Sequence, residues 1–420
     1  MSFYTHDETW ITNPYRREPS RMDNVADHRL SGVEVRRYSG MHGNRLSGAE
    51  RWPPQNWPGL EVEWPLQDPL KDPPMSEKSS KTLQATPRKV ASQMTLAGAR
   101  TAFGLNPTAP GNDIPPEQLD LFWPKVRLAL KEPFSEFFGT FIMILFGNGS
   151  VAQVLLGKGI SAAPGGQGYG DWTNIAWGYG IGLYFGAYVA ADSGSHLNPA
   201  ITLANCLYRK MPWKRFPIYF IAQFLGGFVA SGIVYANYIN AIDMVEGYGI
   251  RTVPPNPTAT ANIFCTYPQP FLTKASQFFS EFICTTIEVF VIFALKDDRN
   301  GLPKGSRNWF PLGLLFMLFG LAVCFGLDTA YAVNLARDFA PRLMSYILGY
   351  GPQVWSAGGY YFWIPMVAPF CGAIFGGFLY DFFIFSGPES PLNEPWLGFA
   401  NIWPRFRFWN RRVRAGDSKV

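Results

Sequence analysis

Six apolar stretches of roughly membrane-spanning length constrain the fold of this chain more than any other feature of its sequence. Each is close to the about 17–25 residues that a helix needs to cross the hydrocarbon core of a bilayer. They are apolar nearly all round, whereas a helix of a soluble protein carries a polar face. The predicted fold class is therefore an all-α membrane protein. The predicted transmembrane helices are Phe134–Leu156, Ile175–Ala191, Phe216–Tyr238, Phe278–Leu295, Trp309–Leu327 and Tyr360–Phe385.

The polar residues of the chain are concentrated towards its two ends. The mean hydropathy of -0.01 resembles that of a soluble protein, but it averages a polar, proline-rich region with an apolar one. Residues 1–131 include RWPPQNWPGLEVEWPLQDPLKDPPMSEKSSK, whose density of proline, serine and charge predicts a disordered tail. We expect a membrane domain at residues 132–386 and a basic tail at residues 387–420. The net charge of +5 is modest and does not indicate a nucleic acid partner.

The distribution of basic residues predicts how the helices are oriented. Clusters lie after the first short apolar segment, between the fourth and fifth stretches, and after the sixth, while the loops on the other side carry few. Because loops rich in lysine and arginine stay in the cytosol, both ends of the chain are predicted to be cytosolic. The basic residues do not indicate which membrane the protein occupies, and we expect the plasma membrane. The clusters are Arg209, Lys210, Lys214 and Arg215, then Lys296, Arg299, Lys304 and Arg307, then Arg405, Arg407, Arg411, Arg412 and Arg414.

Two further apolar segments are too short to cross a bilayer. One begins at Asn198 (NPAITLANCLY) and the other at Asn334 (NLARDFAPRLMSYIL). Each is reached two segments after a span that opens with a matched glutamate, Glu136 in SEFFGTF and Glu281 in SEFICTT. Three spans per half put the halves in opposite orientations. The sequence therefore predicts an inverted repeat with two re-entrant half-helices that place a site at the membrane midplane.

The start of each short segment has a chemistry of its own. Asn198 is suited to cap a helix, and Pro199 is pre-organised for the first helical turn. A half-helix that starts in the middle of the membrane points the positive end of its dipole into the interior. Asn334 provides the same arrangement in the second half, and each asparagine amide can donate a hydrogen bond to a passing oxygen. The pair predicts a positive electrostatic barrier on a path through the protein.

Both short segments resemble the paired motif of the aquaporin superfamily. The matching residues are Asn198, Pro199 and Ala200 in the first, and Asn334, Leu335, Ala336, Arg337 and Asp338 in the second. IAWGYGIGLYF, PIYFIAQFLGGFVASGIVY, FCTYPQPFL and ALKDDRNGLPKG are similar to the glycerol-facilitator branch, the aquaglyceroporins. The resemblance implies a passive channel for glycerol and other small neutral solutes, with water as a co-permeant. It also implies a homotetramer in the lipid bilayer that needs no cofactor and catalyses no reaction.

The resemblance assigns roles to individual residues. Those that correspond to the selectivity filter are Trp177, Ala322, Tyr331 and Arg337, and Asp338 marks the branch. The backbone carbonyls expected along one pore wall are those of Gly194, Ser195, His196, Tyr331, Ala332 and Val333. Glu136 and Glu281 correspond to buried glutamates that accept hydrogen bonds from the loops before the short helices. The implied mechanism is amphipathic: aromatic rings face the carbon atoms of a polyol, and the arginine and carbonyls bind its hydroxyls.

Two residues depart from the family pattern. Leu335 replaces the proline expected in the second motif, so the start of that helix depends on Asn334 as its cap. Tyr331 adds a hydroxyl where a phenylalanine is usual, which motivates a water or hydrogen peroxide channel as an alternative function. A non-conducting membrane sensor or scaffold, whose long tail binds partners, is a second alternative.

Other polar residues carry weaker expectations. No metal site is predicted, because His196 has no second histidine or cysteine cluster and instead suits a loop anchor or a pore wall. Glu288 shares a helix face with Glu281 and either lines the inner vestibule or pairs locally. Asp192 lies at a mouth of the path or contacts a helix end. Asn148 matches a glycosylation sequon inside an apolar stretch, which favours a chance match. The sequence shows no combination of nucleophile, general acid and general base that would predict an enzyme.

Overall fold

The computed structural model describes residues 96–106, 121–160, 168–301, 309–394 and 397. All regular secondary structure in these ranges is helical, which confirms the predicted all-α fold. In chain order the helices are α1 (96–102), α2 (Phe122–Ala129), α3 (Lys131–Gly159), α4 (Trp172–Val189), α5 (Pro199–Tyr208), α6 (Arg215–Glu246), α7 (Lys274–Lys296), α8 (Phe310–Thr329), α9 (Leu335–Ser345), α10 (Gln353–Tyr360) and α11 (Ile364–Phe383). The six predicted spans correspond to α3, α4, α6, α7, α8 and α11.

Most of the long helices meet the requirements of a membrane span. Of the described residues, five helical segments are long and apolar enough, namely Lys131–Lys158, Arg215–Glu246, Lys274–Lys296, Phe310–Thr329 and Gln353–Phe383. The second predicted span, α4, is the one that does not meet them; it has 18 residues and is therefore about 27 Å long at 1.5 Å per residue. Its tyrosines, tryptophans and glycines lower its hydropathy, and some of these aromatic residues line the site described below.

The two halves of the membrane domain repeat the same packing scheme. In the first half α3 packs against α4 and α6, and in the second half α7 packs against α8 and α11. The short helices are exchanged, since α5 packs against α11 and α9 packs against α6, while α4 and α8 join the halves directly. This matched and exchanged arrangement agrees with the predicted internal repeat and brings both short helices to the centre.

Glycines allow the helices of each half to approach closely. A Cβ atom on Gly226 of α6 would overlap the carbonyl oxygen of Phe137 in α3, and one on Gly372 of α11 would overlap that of Phe282 in α7. Phe137 and Phe282 each follow one of the matched glutamates. The same backbone-to-backbone contact therefore fixes the position of the glutamate in both halves.

Part of the predicted disordered tail is ordered. In residues 96–106 the side chain of Arg100 is fully buried, pairs with Glu132 and donates to the carbonyl of Leu128. Releasing a buried ion pair would leave an uncompensated charge, which costs several kcal/mol, about 3–5. The prediction of a disordered tail at residues 1–131 is therefore corrected for α1, α2 and the start of α3. The rest of that tail, and most of the predicted basic tail, lies outside the described residues.

Candidate functional site

The N-termini of α5 and α9 meet, and the asparagine before each helix bonds to the opposite half. Asn198 accepts a hydrogen bond on Oδ1 from the backbone two residues on, at 2.9 Å, while its Nδ2 donates to the carbonyl of Val333 at 2.9 Å. Asn334 accepts in the same way at 2.9 Å and donates from Nδ2 to the carbonyl of Leu197 at 2.7 Å. Each asparagine caps its own helix and holds the other loop, so two positive helix ends point to one place.

The loops before the short helices share an unusual backbone conformation. The φ angles of Ser195 and Leu197 are 56° and 51°, and those of Tyr331 and Val333 are 41° and 45°. A left-handed conformation of a non-glycine residue costs about 1–3 kcal/mol, so it persists only where the surroundings hold it. The same alternation in both loops is the internal repeat at the level of single residues.

A fully buried glutamate holds each loop in this conformation. Glu136 accepts hydrogen bonds from the N–H groups of His196 and Leu197, at 2.9 and 2.8 Å. Glu281 accepts from two successive N–H groups just before Asn334, at 2.9 and 2.7 Å. Bonds to an ionised carboxylate are stronger than neutral ones. These contacts are those expected for the loop-holding role assigned to the two glutamates.

A narrow cavity of about 20 Å³ lies beside the two asparagines. A cavity of roughly 10–15 Å³ on this measure holds one water molecule, so the space admits little more than one at a time. Its wall includes five of the six residues whose carbonyls were predicted to line the pore, together with Glu288; the five are Ser195, His196, Tyr331, Ala332 and Val333. Apolar side chains, among them Met143, Leu183 and Leu318, complete the wall. The cavity therefore has a polar component within an apolar tube.

A wide vestibule of about 870 Å³ adjoins the narrow cavity. Tyr179, Tyr331 and Arg337 line both spaces, so they form the boundary between them. Trp172 and Ala322 line the vestibule next to this boundary, and the indole Nε1 of Trp172 donates to the carbonyl of Ala322 at 2.9 Å. We call Tyr179, Tyr331 and Arg337, with Trp172 above them, the constriction.

The constriction combines free hydrogen-bond donors with aromatic rings. The guanidinium carbon of Arg337 lies 4.7 Å from the ring centroid of Tyr179, and Tyr331 makes edge contacts with both Tyr179 and Trp172. Among the described residues, the buried Nε and Nη1 atoms of Arg337 and the hydroxyl of Tyr331 have no hydrogen-bond partner in the protein. Buried donors are rarely left without a hydrogen-bond partner, so these atoms indicate a position at which a polar solute can bind.

The sequence-based assignment of Trp177 to the filter is wrong. Its ring packs against Phe316 and Phe319 of α8, with the centroids 6.5 and 4.5 Å apart, and it lines neither the cavity nor the vestibule. The α4 residues that line the vestibule are Trp172, Ile175 and Tyr179, which follow the spacing of one helix face. Trp177 lies on a different face of α4, because it is two residues from Ile175 and two residues from Tyr179 in the sequence.

The other assigned residues fall into two groups. Tyr331, Arg337 and Ala322 lie on the path, and the motif positions Pro199, Ala200, Leu335 and Ala336 are buried in the first turns of the short helices. Asp338 points elsewhere, because its carboxylate accepts from the N–H and hydroxyl of Thr266 at 2.7 Å and pairs with Arg342. Asp338 therefore ties the loop between α6 and α7 to α9. The carbonyl of Gly194 accepts from Lys296 at 2.7 Å.

The weaker expectations are also resolved by contacts. Glu288 lines the narrow cavity, and Asn198 Nδ2 donates to it at 3.4 Å. Asp192 pairs with Lys131 at 2.9 Å, so it contacts a helix end. Asn148 is fully buried and accepts from the Tyr179 hydroxyl at 2.8 Å, which leaves no room for a glycan. Within the described ranges, no group of three or more histidine, cysteine or acidic side chains is placed to hold a metal ion.

Trp172 and Tyr179 are the functional residues that the sequence interpretation missed. The available signal was their separation of seven residues, which is two helical turns and places them on one face. That signal is ambiguous in α4, because the helix carries aromatic residues on several faces and the sequence does not show which face meets the path.

Comparison with known proteins places this geometry in a family. Residues 124–380 match the family model described as Major intrinsic protein. Aquaglyceroporin-9 of Botryotinia fuckeliana is 59% identical over 286 residues, which cover 68% of this chain but only 60% of that relative. Probable aquaglyceroporin-2 of Gibberella zeae is 54% identical over 306 residues, which cover 72% of this chain and 87% of the relative.

A solved structure shares the fold as well as part of the sequence. The X-ray structure of the aquaglyceroporin from Plasmodium falciparum is 29% identical, with a TM-score of 0.52, and the match covers 61% of this chain and 96% of that one. The family match spans more than half of the chain and contains both asparagine caps, both loop-holding glutamates and the constriction. The chain therefore belongs to the major intrinsic protein family, the superfamily of aquaporins and aquaglyceroporins.

Proposed function

We propose that this protein is a passive transmembrane channel for glycerol and other small neutral solutes, with water as a co-permeant. The observation that carries the proposal is the constriction, where unpartnered donors of Arg337 lie beside the rings of Tyr179, Tyr331 and Trp172. A polyol has hydroxyls along one edge and carbon atoms along the other, which matches such a wall. The names of the relatives, aquaglyceroporins, support the same solute class.

The path imposes a sequence of contacts on a solute. Glycerol enters the vestibule and places its hydroxyl oxygens against the Arg337 guanidinium, while the rings pack against its carbon atoms. It then moves into the narrow cavity, whose wall includes Ser195, His196, Ala332 and Val333, the residues whose carbonyls we expect to accept its hydroxyl hydrogens. Each bond to water is replaced by a bond to the protein, so a neutral polar solute passes at little cost.

Ions do not find the same replacement. A cation that enters the constriction meets the charge of Arg337 and then the positive ends of α5 and α9. The narrow cavity admits little more than one water molecule, so an ion cannot carry its hydration shell through. These terms give the channel selectivity for uncharged solutes.

The function is tested with the full chain in liposomes. After a hyperosmotic glycerol shock, light scattering follows the shrinkage caused by water loss and the re-swelling caused by glycerol entry. Fast shrinkage and fast re-swelling, both abolished or strongly changed in Arg337→Ala, are the expected result. Traces that match those of empty liposomes would refute conduction and favour the non-conducting sensor or scaffold.

A water or hydrogen peroxide channel is the second candidate, and the Tyr331 hydroxyl favours it. This hydroxyl is buried at the constriction without a protein partner, and it adds polarity where a solute has to lose water. Fast shrinkage without re-swelling would support this candidate. A Tyr331→Phe variant with unchanged peroxide flux, in a protein that passes glycerol rapidly, would exclude it.

The proposal includes the setting of the channel. The channel domain occupies residues 132–386, the protein lies in the plasma membrane as a homotetramer, and both ends of the chain face the cytosol. The clusters of basic residues support this orientation. Protease treatment of intact cells tests this orientation, because tags at both ends of the chain should be protected from the protease until the membrane is permeabilised.

A further inference from the structure

A lysine lies one helical turn beyond the end of the narrow cavity that is opposite the vestibule. Lys296 is the last residue of α7, and its Nζ donates to the carbonyl oxygen of Gly194 at 2.7 Å. The same ammonium lies 4.8 Å from the ring centroid of Phe310, the first residue of α8. A hydrogen bond and a cation–π contact therefore hold one positive charge, at the end of α7, between the start of α8 and the loop that contains Gly194.

These three residues form the next layer beyond the cavity wall. The wall includes Ser195, Ile292 and Leu314 at this end. Gly194 directly precedes Ser195, Lys296 follows Ile292 by one helical turn, and Phe310 precedes Leu314 by one helical turn. One turn advances about 5.4 Å along the axis and returns to the same face. A solute that leaves the cavity at this end therefore meets the Lys296 layer next.

We propose that Lys296 is a specificity-determining residue that closes this end of the path, because a permeating solute has to displace its ammonium group from the Gly194 carbonyl. The inference rests on the proposed channel function and adds a second barrier to the constriction. Gly194 directly precedes the loop residues that line the cavity, so the ammonium binds the first carbonyl that a solute leaving the cavity at this end would meet.

The chemistry of the contact selects among solutes. An ammonium group donates hydrogen bonds and accepts none. A solute hydroxyl can donate to the Gly194 carbonyl and accept from the ammonium, but only after the ammonium has left that carbonyl, so the displacement is the barrier and both groups regain partners once it has occurred. A cation can neither accept from Lys296 nor approach its charge. Lysine is suited to such exchange, because its charge sits on a flexible four-carbon stem.

The test uses Lys296→Met, which keeps an unbranched side chain that is shorter only by the terminal nitrogen, and removes its charge and donors. Because the variant removes the step in which the ammonium leaves the carbonyl, we expect glycerol permeability of liposomes to rise by roughly tenfold, which corresponds to about 1.4 kcal/mol. Lys296→Arg keeps the charge and the donors and should stay close to the native rate. Lys210→Met is the matched control, since Lys210 is exposed and donates to the carbonyl of Pro388 instead.

A second measurement separates this role from a structural one. The ratio of methylammonium to glycerol permeability should rise in Lys296→Met, because a barrier specific for cations has been removed, whereas a merely loosened protein would pass both solutes in proportion. If Lys296→Met does not yield a monodisperse protein, Lys296→Gln gives the same two measurements.

The outcomes distinguish this inference from the function on which it rests. Native glycerol flux above that of empty liposomes, with a further rise of roughly tenfold and a raised cation ratio in Lys296→Met, supports both. Native glycerol flux that is fast and unchanged in Lys296→Met, with an unchanged cation ratio, overturns the role of Lys296 and leaves the channel function in place. Flux equal to that of empty liposomes in both proteins overturns the channel function and this inference with it.

Discussion

Replacing Glu281 by glutamine tests whether a buried carboxylate sets the geometry of the second pore loop. The carboxylate accepts hydrogen bonds from the N–H groups of Ala332 and Val333 at 2.9 and 2.7 Å, and from the hydroxyl of Tyr361 at 3.1 Å. Glutamine has nearly the same shape, but one of its two terminal atoms is a donor. One backbone N–H group would therefore face another donor, and the remaining bonds would lose the assistance of the charge.

The expected magnitude follows from these bonds. Losing one bond to a charged acceptor costs about 1.5–3 kcal/mol, and leaving a buried N–H group unpaired costs about 1–3 kcal/mol. The sum, about 2.5–6 kcal/mol, is comparable with the about 2–6 kcal/mol stored together at the left-handed residues Tyr331 and Val333. The loop then gains more by relaxing than it loses, so we expect Tyr331 and the carbonyl wall to leave their observed positions.

Two measurements check the Glu281→Gln prediction. The thermal unfolding midpoint in detergent should fall by several degrees. Glycerol flux in liposomes should fall by tenfold or more, because each factor of ten corresponds to about 1.4 kcal/mol and the lost bonds exceed that value. The control is Glu389→Gln, because Glu389 pairs with Arg299 at an exposed position, where an ion pair contributes about 0–1 kcal/mol. An unchanged midpoint together with native flux would refute the loop-holding role of the carboxylate.

Two further predictions come in matched pairs. Trp172→Phe removes the hydrogen bond to the Ala322 carbonyl at the constriction and should change glycerol flux severalfold. Trp177 packs against α8 away from the path, so Trp177→Phe should leave the flux unchanged. Equal effects of the two variants in the same flux assay would return Trp177 to the selectivity filter. Gly227→Ala forces a methyl group onto the carbonyl of Ala336, so it should lower the free energy of unfolding by about 1–3 kcal/mol and displace α9. A methyl group on Gly320 meets no neighbour within 4 Å, so Gly320→Ala should be tolerated. Unfolding midpoints and glycerol flux that do not separate the two variants would contradict this prediction.

The long and the short helices were predictable because the membrane leaves few alternatives. In hydrocarbon every backbone polar group has to be satisfied within the protein, so a long apolar run has to be a helix. The capping chemistry of Asn198 and Pro199 predicted where α5 begins, and α5 does begin at Pro199. The matched glutamates were predictable for the same reason, since a carboxylate inside an apolar span requires a partner.

The facing of α4 was not predictable from its own residues. A helix that is apolar nearly all round gives no signal for the side that meets the path, so Trp172, Trp177 and Tyr179 were equally available to it. The packing of α4 against α3 and α8 determines which face of α4 lines the path, and this packing is a property of the assembled helices. Arg100 was missed for a related reason, because the carboxylate that buries it is distant in sequence.

The replacement of proline by Leu335 in the second motif has a physical explanation. Proline suits the first position of a helix because the N–H group it lacks would have no helical partner there. In α9 that helix start is already defined by Asn334, whose Oδ1 accepts from the N–H groups of Ala336 and Arg337 at 2.9 and 3.3 Å.

The backbone around the two asparagines confirms that the cap, and not the proline, sets the geometry. Asn198, which precedes a proline, has φ and ψ of -152° and 123°, and Asn334, which precedes Leu335, has -148° and 116°. The two helix starts are thus nearly the same with and without proline. The positive end of α9 keeps its place because an asparagine cap on one side and Glu281 on the other fix the loop, so a leucine at this position is compatible with an intact path.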